Sequence, residues 1–171
     1  GYQMLGEWLY DPEHIESAEE RTPGLDLLPV TTQFASPKET HRVKGRVAAR
    51  EGILWGIENL PFEGYEIHMG RSTGVDALNP FLVTERSQEP CQTPDGAISR
   101  DGNILGTYVH GLFHNHTLRR GILANLAARK GVSLPERDAL KSKDRVYDEL
   151  AEQVRRSLDM PLIHRIAGLG P

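Results

Sequence analysis

One histidine stands at a position where a side chain could transfer protons. His110 directly follows a predicted strand over residues 104–109 and directly precedes Gly111. In doubly wound α/β proteins, ligands and reacting groups lie at the carboxyl ends of strands. An imidazole can accept a proton and return it near neutral pH, so one ring can serve as both base and acid. Position alone leaves two interpretations open, a catalytic histidine and a structural histidine that ends a strand.

Two further polar side chains share one face of a predicted strand. Glu66 and His68 lie two residues apart within residues 64–70, and side chains at that spacing point to the same side of a strand. They could line a substrate pocket or contact another domain. They could equally form a buried polar pair that stabilises the strand.

A histidine-rich run begins at His110. Together with His114 and His116 it forms an H-x-x-x-H-x-H pattern, a spacing that can indicate zinc. Gly111 and Asn115 favour turns here, whereas only a helix would bring the first two imidazoles onto one face. We therefore expect no metal site in this chain.

The single cysteine, Cys91, lies in a segment bracketed by prolines, EPCQTP at 89–94. This segment has neither the glycines of a nucleophile elbow nor a predicted helix after it, so we predict a bystander thiol in a loop. One cysteine excludes an internal disulfide and a thiolate-rich zinc site. This cysteine usage suits a reducing compartment, and we expect a cytoplasmic protein.

Composition restricts the class of protein. The chain has 171 residues, of which 38% are hydrophobic and 26% charged, as is typical of one globular domain with a substantial core. The net charge is −4, with both signs interspersed, so the basic stripe of a nucleic-acid-binding protein is absent. Apolar runs reach only four or five residues, and no signal-peptide pattern opens the chain, so no membrane association is expected.

The predicted elements change in type along the chain. Residues 2–9 are predicted to form a helix, and residues 11–29 an ordered surface loop. Apolar patterning and turn signals predict strands at 30–34, 41–48, 64–70, 81–84 and 104–109, with a turn-rich stretch between the last two. Helical spacing predicts one helix around 118–126, ended by Gly131, and a second over 143–158. The apolar face of the second helix would consist of Val146, Leu150, Val154 and Leu158.

Four segments, in this order and at these intervals, carry a family resemblance. They are GYQMLG at 1–6, GLDLLP at 24–29 with Thr31 and Thr32 after it, GYEIHMGR at 64–71 and GTYVHGLF at 106–113. Together they resemble the glutamine-hydrolysing domain of cobyric acid synthases over nearly the whole chain. The resemblance implies an α/β fold of the class-I glutamine amidotransferase type, with a flavodoxin-like, doubly wound and mainly parallel sheet. Residues 1–171 would then be a partial amidotransferase domain, whose leading strands are missing.

The resemblance also implies roles for individual residues. A nucleophilic cysteine would lie two positions before Gly1 on a sharp strand-to-helix turn, so the chain as given is expected to lack glutaminase activity. His110 would be the catalytic histidine. Many amidotransferases with a catalytic triad have glutamate two residues later, but this chain has Leu112, which implies a cysteine–histidine dyad and leaves the group that orients His110 unidentified. The resemblance suggests that Gln3 helps to hold the substrate glutamine, and we predict that Tyr2, Glu66 and His68 also bind it.

The implied pathway is cobalamin biosynthesis. Ammonia from glutamine would pass to an N-terminal synthetase domain outside this sequence, which would use ATP and magnesium to amidate corrinoid carboxylates. No cofactor is expected in the present domain, and the sequence has no G-x-x-x-x-G-K-[ST] phosphate-binding loop. Two alternatives stay open. One is the glutaminase domain of a related amidotransferase, such as a cobyrinic acid diamide synthase or an enzyme that amidates a cell-wall lipid; the other is a non-catalytic docking or channelling domain.

Overall fold

The computed structural model describes residues 1–36, 38–74, 77–134 and 143–169. The chain divides into two compact units, Gly1–Leu134 and Pro135–Pro171. The first unit contains all the strands described below and one α-helix, and the second contains two α-helices. All the predicted site residues lie in the first unit.

The first unit is built from short strands and one long helix. Its strands are β1 (Trp8–Tyr10), β2 (Arg21–Pro23), β3 (Thr31–Gln33), β4 (Glu39–Val47), β5 (Pro61–His68), β6 (Arg71–Thr73), β7 (Phe81–Arg86), β8 (Glu89–Asp95), β9 (Ala97–Ile98), β10 (Leu105–Gly106) and β11 (Val109–His110). Its helix is α1 (His116–Arg129), and short 3₁₀ helices cover Tyr2–Leu5, Gly52–Leu54 and Leu112–His114. The predicted strands at 30–34, 41–48, 64–70 and 81–84 are confirmed.

These strands form three sheets, and their pairing differs from the predicted pattern. The orders are β2-β1-β3-β6, β11-β5-β4-β7-β8 and β10-β9. Among the described strands, only the β1–β3 pair is parallel. The strands β4, β5, β7 and β8 pair antiparallel, and β7 and β8 are joined by only two residues, a link that parallel neighbours cannot use. The mixed α/β class is confirmed, and the mainly parallel, doubly wound arrangement is not.

The main core lies on one face of the five-stranded sheet. Along β4, Val43, Gly45 and Val47 are buried and alternate with exposed residues, as the sequence pattern predicts. Gly45 is needed for close packing, because a Cβ atom there would lie 2.4 Å from the Leu82 carbonyl oxygen. Helix α1 covers this core with Leu118 and Ile122.

The predicted helix over residues 2–9 is wrong beyond its first turn. Residues Tyr2–Leu5 form a 3₁₀ helix, and the chain is then extended at Gly6 and continues as strand β1. The cause is tertiary packing: a Cβ atom on Gly6 would lie 2.4 Å from the Val30 carbonyl oxygen. Backbone amides of the 24–29 loop also bond to the carbonyl groups of this turn, with Leu25 to Met4 at 2.8 Å and Leu27 to Leu5 at 2.9 Å.

Two other predictions near the site need correction. The turn-rich stretch contains strand β8, which forms a hairpin with β7 through Ser87 and Gln88, both with positive φ. Strand β8 includes Pro90 and Pro94 because it is an outer strand, where a missing amide hydrogen is tolerated. The predicted strand over 104–109 is divided into β10 and β11, which pair with different neighbours.

The predicted helices of the last third are confirmed. Helix α1 is followed by Gly131 with φ of +64°, whose amide bonds to the Ala128 carbonyl oxygen at 3.1 Å, as in a glycine-terminated helix. In the second unit, α2 covers Lys143–Ser157 and α3 covers Met160–Ile166. The apolar residues predicted for one face of the longer helix, Val146, Leu150 and Val154, are exposed. Within the described helices, none is both long and apolar enough to cross a bilayer.

Candidate functional site

A polar cavity of about 690 Å³ opens between the two larger sheets of the first unit, a volume within the range of small-molecule sites. Three of the predicted site residues, Tyr2, Glu66 and His68, line it. The other lining residues include Arg71, Ser72, Arg86, Asp95 and Tyr108. The cavity therefore brings together the 1–6, 64–71 and 106–113 segments.

Aromatic rings form one wall of the cavity. The Tyr108 ring meets Tyr2 edge-on at 5.0 Å between centroids and stacks on the His68 imidazole at 4.0 Å. The Tyr108 and Ser72 hydroxyl groups are 2.7 Å apart, and Ser72 is 2.6 Å from the Thr32 hydroxyl. Burial is the main cause that raises the pKa of both tyrosines, so their hydroxyl groups stay protonated and can donate hydrogen bonds.

The first turn of the chain is tied to this wall by Gln3. Its side-chain amide nitrogen donates to the Met69 carbonyl oxygen at 2.8 Å. Beside it, His68 Nδ1 lies 3.0 Å from the Gly70 carbonyl oxygen, a contact in which the ring nitrogen donates. That bond requires a proton on Nδ1. Gln3 thus connects two of the family segments.

Glu66 on β5 forms an ion pair with Arg86 on β7. Its side chain is 2% exposed and receives two hydrogen bonds from Arg86, Nε to Oε2 at 2.9 Å and Nη2 to Oε1 at 3.2 Å. A carboxylate buried to this degree requires such a partner, because desolvation of an isolated charge is very costly. Glu66 and His68 line the same cavity, as their spacing on one strand predicts.

Asp95 is a buried cavity residue that the sequence reasoning missed. It ends β8, is 5% exposed, and accepts hydrogen bonds from the Thr107 hydroxyl and from the Tyr108 amide, the latter at 3.2 Å. Burial raises its pKa more than these hydrogen bonds lower it. In the sequence it precedes Gly96, and an Asp-Gly pair ordinarily indicates a turn, so no local signal distinguished it.

His110 lies outside this cavity wall. It is the last residue of β11, which is an outer strand of the five-stranded sheet. Its backbone pairs with Tyr65, and the two rings stack at 5.2 Å between centroids with 9° between their planes. Tyr65 and Glu66 are consecutive on β5 and point to opposite faces, which places the exposed His110 ring on the face opposite to Glu66.

His114, His116 and Cys91 do not line the cavity. His114 ends the 3₁₀ helix Leu112–His114, and His116 begins α1. The described residues contain no group of three or more potential metal ligands. Cys91 is in strand β8 and not in a loop, and its half-buried thiol donates to the Val83 carbonyl oxygen at 3.5 Å.

Comparison with known proteins identifies the same family as the four sequence segments. A family model described as a CobB/CobQ-like glutamine amidotransferase domain matches residues 1–118. Among curated relatives, the cobyric acid synthase of Dehalococcoides mccartyi is 41% identical over 171 residues, covering 99% of this chain and 34% of the relative. The cobyric acid synthase of Streptococcus sanguinis is 42% identical over 171 residues, covering 97% of this chain and 32% of the relative.

The cobyric acid synthase of Desulforamulus reducens gives a third comparison, 41% identical over 177 residues with 99% of this chain and 34% of the relative covered. The chain thus spans about a third of the length of the curated relatives it matches. The family model covers well over half of the chain, including the three segments that meet at the cavity. This chain belongs to the family of CobB/CobQ-like glutamine amidotransferase domains.

Proposed function

We propose that this chain forms the glutamine-hydrolysing part of an ATP-dependent cobyric acid synthase. The observation that carries the proposal is the meeting of three family segments at one cavity, through Tyr2, His68 and Tyr108. The cavity offers hydroxyl donors, an imidazole and an arginine to a small polar substrate. Glutamine, with its amide, ammonium and carboxylate groups, is a substrate of that kind.

The chemistry requires a thiolate that Cys91 does not supply. Its thiol donates to the Val83 carbonyl oxygen on β7, and the residue does not line the cavity. The proposed nucleophile is the cysteine implied two positions before Gly1. Its sulfur attacks the side-chain carbonyl carbon of glutamine to form a thioester, the C–N bond breaks, and the leaving nitrogen takes up the proton from the thiol and departs as ammonia. Water then hydrolyses the thioester to glutamate and restores the thiol.

His110 is the proposed proton carrier for these steps. An imidazole can take the proton of the thiol, pass it to departing ammonia, and later deprotonate the attacking water. Its ring is exposed at the end of an outer strand and held by stacking on Tyr65. The ring lies on the sheet face opposite to Glu66 and does not line the cavity, so the proposed role of His110 rests on its place in the GTYVHGLF family segment.

The proposed longer protein would use the ammonia in a second reaction. A synthetase domain with ATP and magnesium would activate corrinoid carboxylates as acyl phosphates, and ammonia would displace phosphate to form the amide. No cofactor is proposed for the present domain. In this scheme His110 acts only in the hydrolysis of glutamine and not in the amidation.

A comparison of glutamine with ammonium salt as the nitrogen source therefore tests the role of His110. In the longer protein, His110→Ala should abolish amidation supported by glutamine and retain amidation supported by added ammonium salt. His116→Ala is the matched control, since it removes another exposed imidazole close by in the chain. Circular dichroism would confirm that both variants are folded. Retained use of glutamine, or an equal loss with both nitrogen sources, would refute the assignment of His110.

A further inference from the structure

Regular strand pairing stops between β10 and β11, and hydrogen bonds to a buried carboxylate fix the backbone there. Thr107 and Tyr108 belong to neither strand. Asp95 accepts the Thr107 hydroxyl on one oxygen and the Tyr108 amide on the other. The Thr107 hydroxyl oxygen in turn accepts the Val109 amide at 2.9 Å. One carboxylate and one hydroxyl therefore determine the path of three consecutive residues.

This path decides where two functional side chains point. Tyr108 turns into the cavity, where its ring stacks on His68 and contacts Tyr2. From Val109 the chain pairs with β5, so that His110 lies beside Tyr65. A change in the backbone at Thr107 would move both rings, because only two residues of β11 pair with the sheet.

Burial of the Asp95 carboxylate costs free energy, which is unusual for a group whose only role is to accept structural hydrogen bonds. The side chain is 5% exposed, and the desolvation of a carboxylate is only partly offset by two hydrogen bonds. Its raised pKa reflects this burial. A perturbed carboxyl group on a cavity wall is typical of a functional site, although Asp95 touches neither reacting group of the proposed chemistry.

We propose that Asp95 is a positioning residue of the glutaminase site, acting through the Thr107 hydroxyl to place Tyr108 in the cavity and His110 at the end of β11. This inference rests on the proposed function. It predicts that loss of the Thr107 hydroxyl impairs the use of glutamine selectively, because misplacement of reacting groups by about 1 Å lowers rates by up to about 100-fold.

The test compares two substitutions of one residue in the longer protein that contains this chain. Thr107→Val removes the hydroxyl at nearly constant volume, whereas Thr107→Ser retains it. We expect Thr107→Val to lower kcat/KM for glutamine by roughly 10- to 100-fold and to leave ammonium-supported amidation within about two-fold. Thr107→Ser should restore glutamine use to within about three-fold of wild type.

Asp95→Asn provides a second route if Thr107→Val does not fold. Its amide group places a donor where the carboxylate had an acceptor, so the same selective loss is expected. Equal glutamine use by the Val and Ser variants, or an equal loss with both nitrogen sources, would overturn the inference, as would wild-type glutamine use by Asp95→Asn. A wild-type longer protein that releases no ammonia from glutamine would overturn the proposed function itself, and the inference with it.

Discussion

The ion pair between Glu66 and Arg86 allows a quantitative test of the cavity wall. The Glu66 side chain is 2% exposed and the Arg86 side chain 32%. Removal of one partner from a fully buried pair costs about 3–5 kcal/mol, because the remaining charge is left unpaired. Arg86 is about a third exposed, so water can partly solvate the site, and we expect Arg86→Met to lower the free energy of unfolding by about 2–3 kcal/mol.

Urea unfolding followed by tryptophan fluorescence measures this loss, since Trp8 and Trp55 both lie in the first unit. With a slope of about 2 kcal/mol per molar urea, the midpoint should fall by about 1–1.5 M. The double variant Glu66→Gln/Arg86→Met removes both charges of this pair, so it should be more stable than Arg86→Met, with a coupling energy of about 1–2 kcal/mol.

Lys44→Met is the matched control for this experiment. It breaks the Lys44–Glu85 pair in the same sheet, which has side-chain exposures of 53% and 32%. Pairs in contact with water add little to stability, so the unfolding midpoint should not move measurably. A midpoint for Arg86→Met that equals that of Lys44→Met, or a coupling energy of zero, would refute the reasoning.

Two further predictions concern Asp95 and Cys91. Because the pKa of Asp95 is raised in the folded protein, the folded state holds its proton more tightly than the unfolded state, and this side chain makes stability fall as pH rises through its folded pKa. Urea unfolding of wild type and Asp95→Asn across pH should therefore show that the wild type loses stability relative to the variant as pH rises; a pH-independent difference would contradict this. Cys91→Ser, in the longer protein, should retain glutamine-supported amidation within a few-fold, because its thiol donates to the Val83 carbonyl oxygen on β7 and the residue does not line the cavity; complete loss in a folded variant would contradict the bystander assignment.

Features that depend on local patterning could be predicted from the sequence. The alternation around Val43 and Val47 predicts β4, and the spacing of Leu118 and Ile122 predicts α1. The spacing of Glu66 and His68 correctly places both on one cavity wall. In each of these cases the residues that carry the signal are close in sequence, so periodicity alone contains the information.

Features that depend on distant contacts could not be predicted in this way. The chain becomes extended at Gly6 because the Val30 backbone packs closely against it. The predicted strand over 104–109 is divided because Asp95 accepts hydrogen bonds from its middle. Glu66 and Asp95 acquire their roles from residues about 12–20 positions away. Tertiary context of this kind overrides local propensity.

The outer strands of the five-stranded sheet have a consequence for assembly. An unpaired strand edge is a template on which a second molecule can add its own strand, and this is a common route to aggregation. On one side the edge is β8, where Pro90 and Pro94 have no amide hydrogen to offer an incoming chain. On the other side the edge is β11, which is only two residues long. Both edges thus oppose continuation of the sheet from one molecule into the next, which favours separate molecules over fibrils when the protein is concentrated.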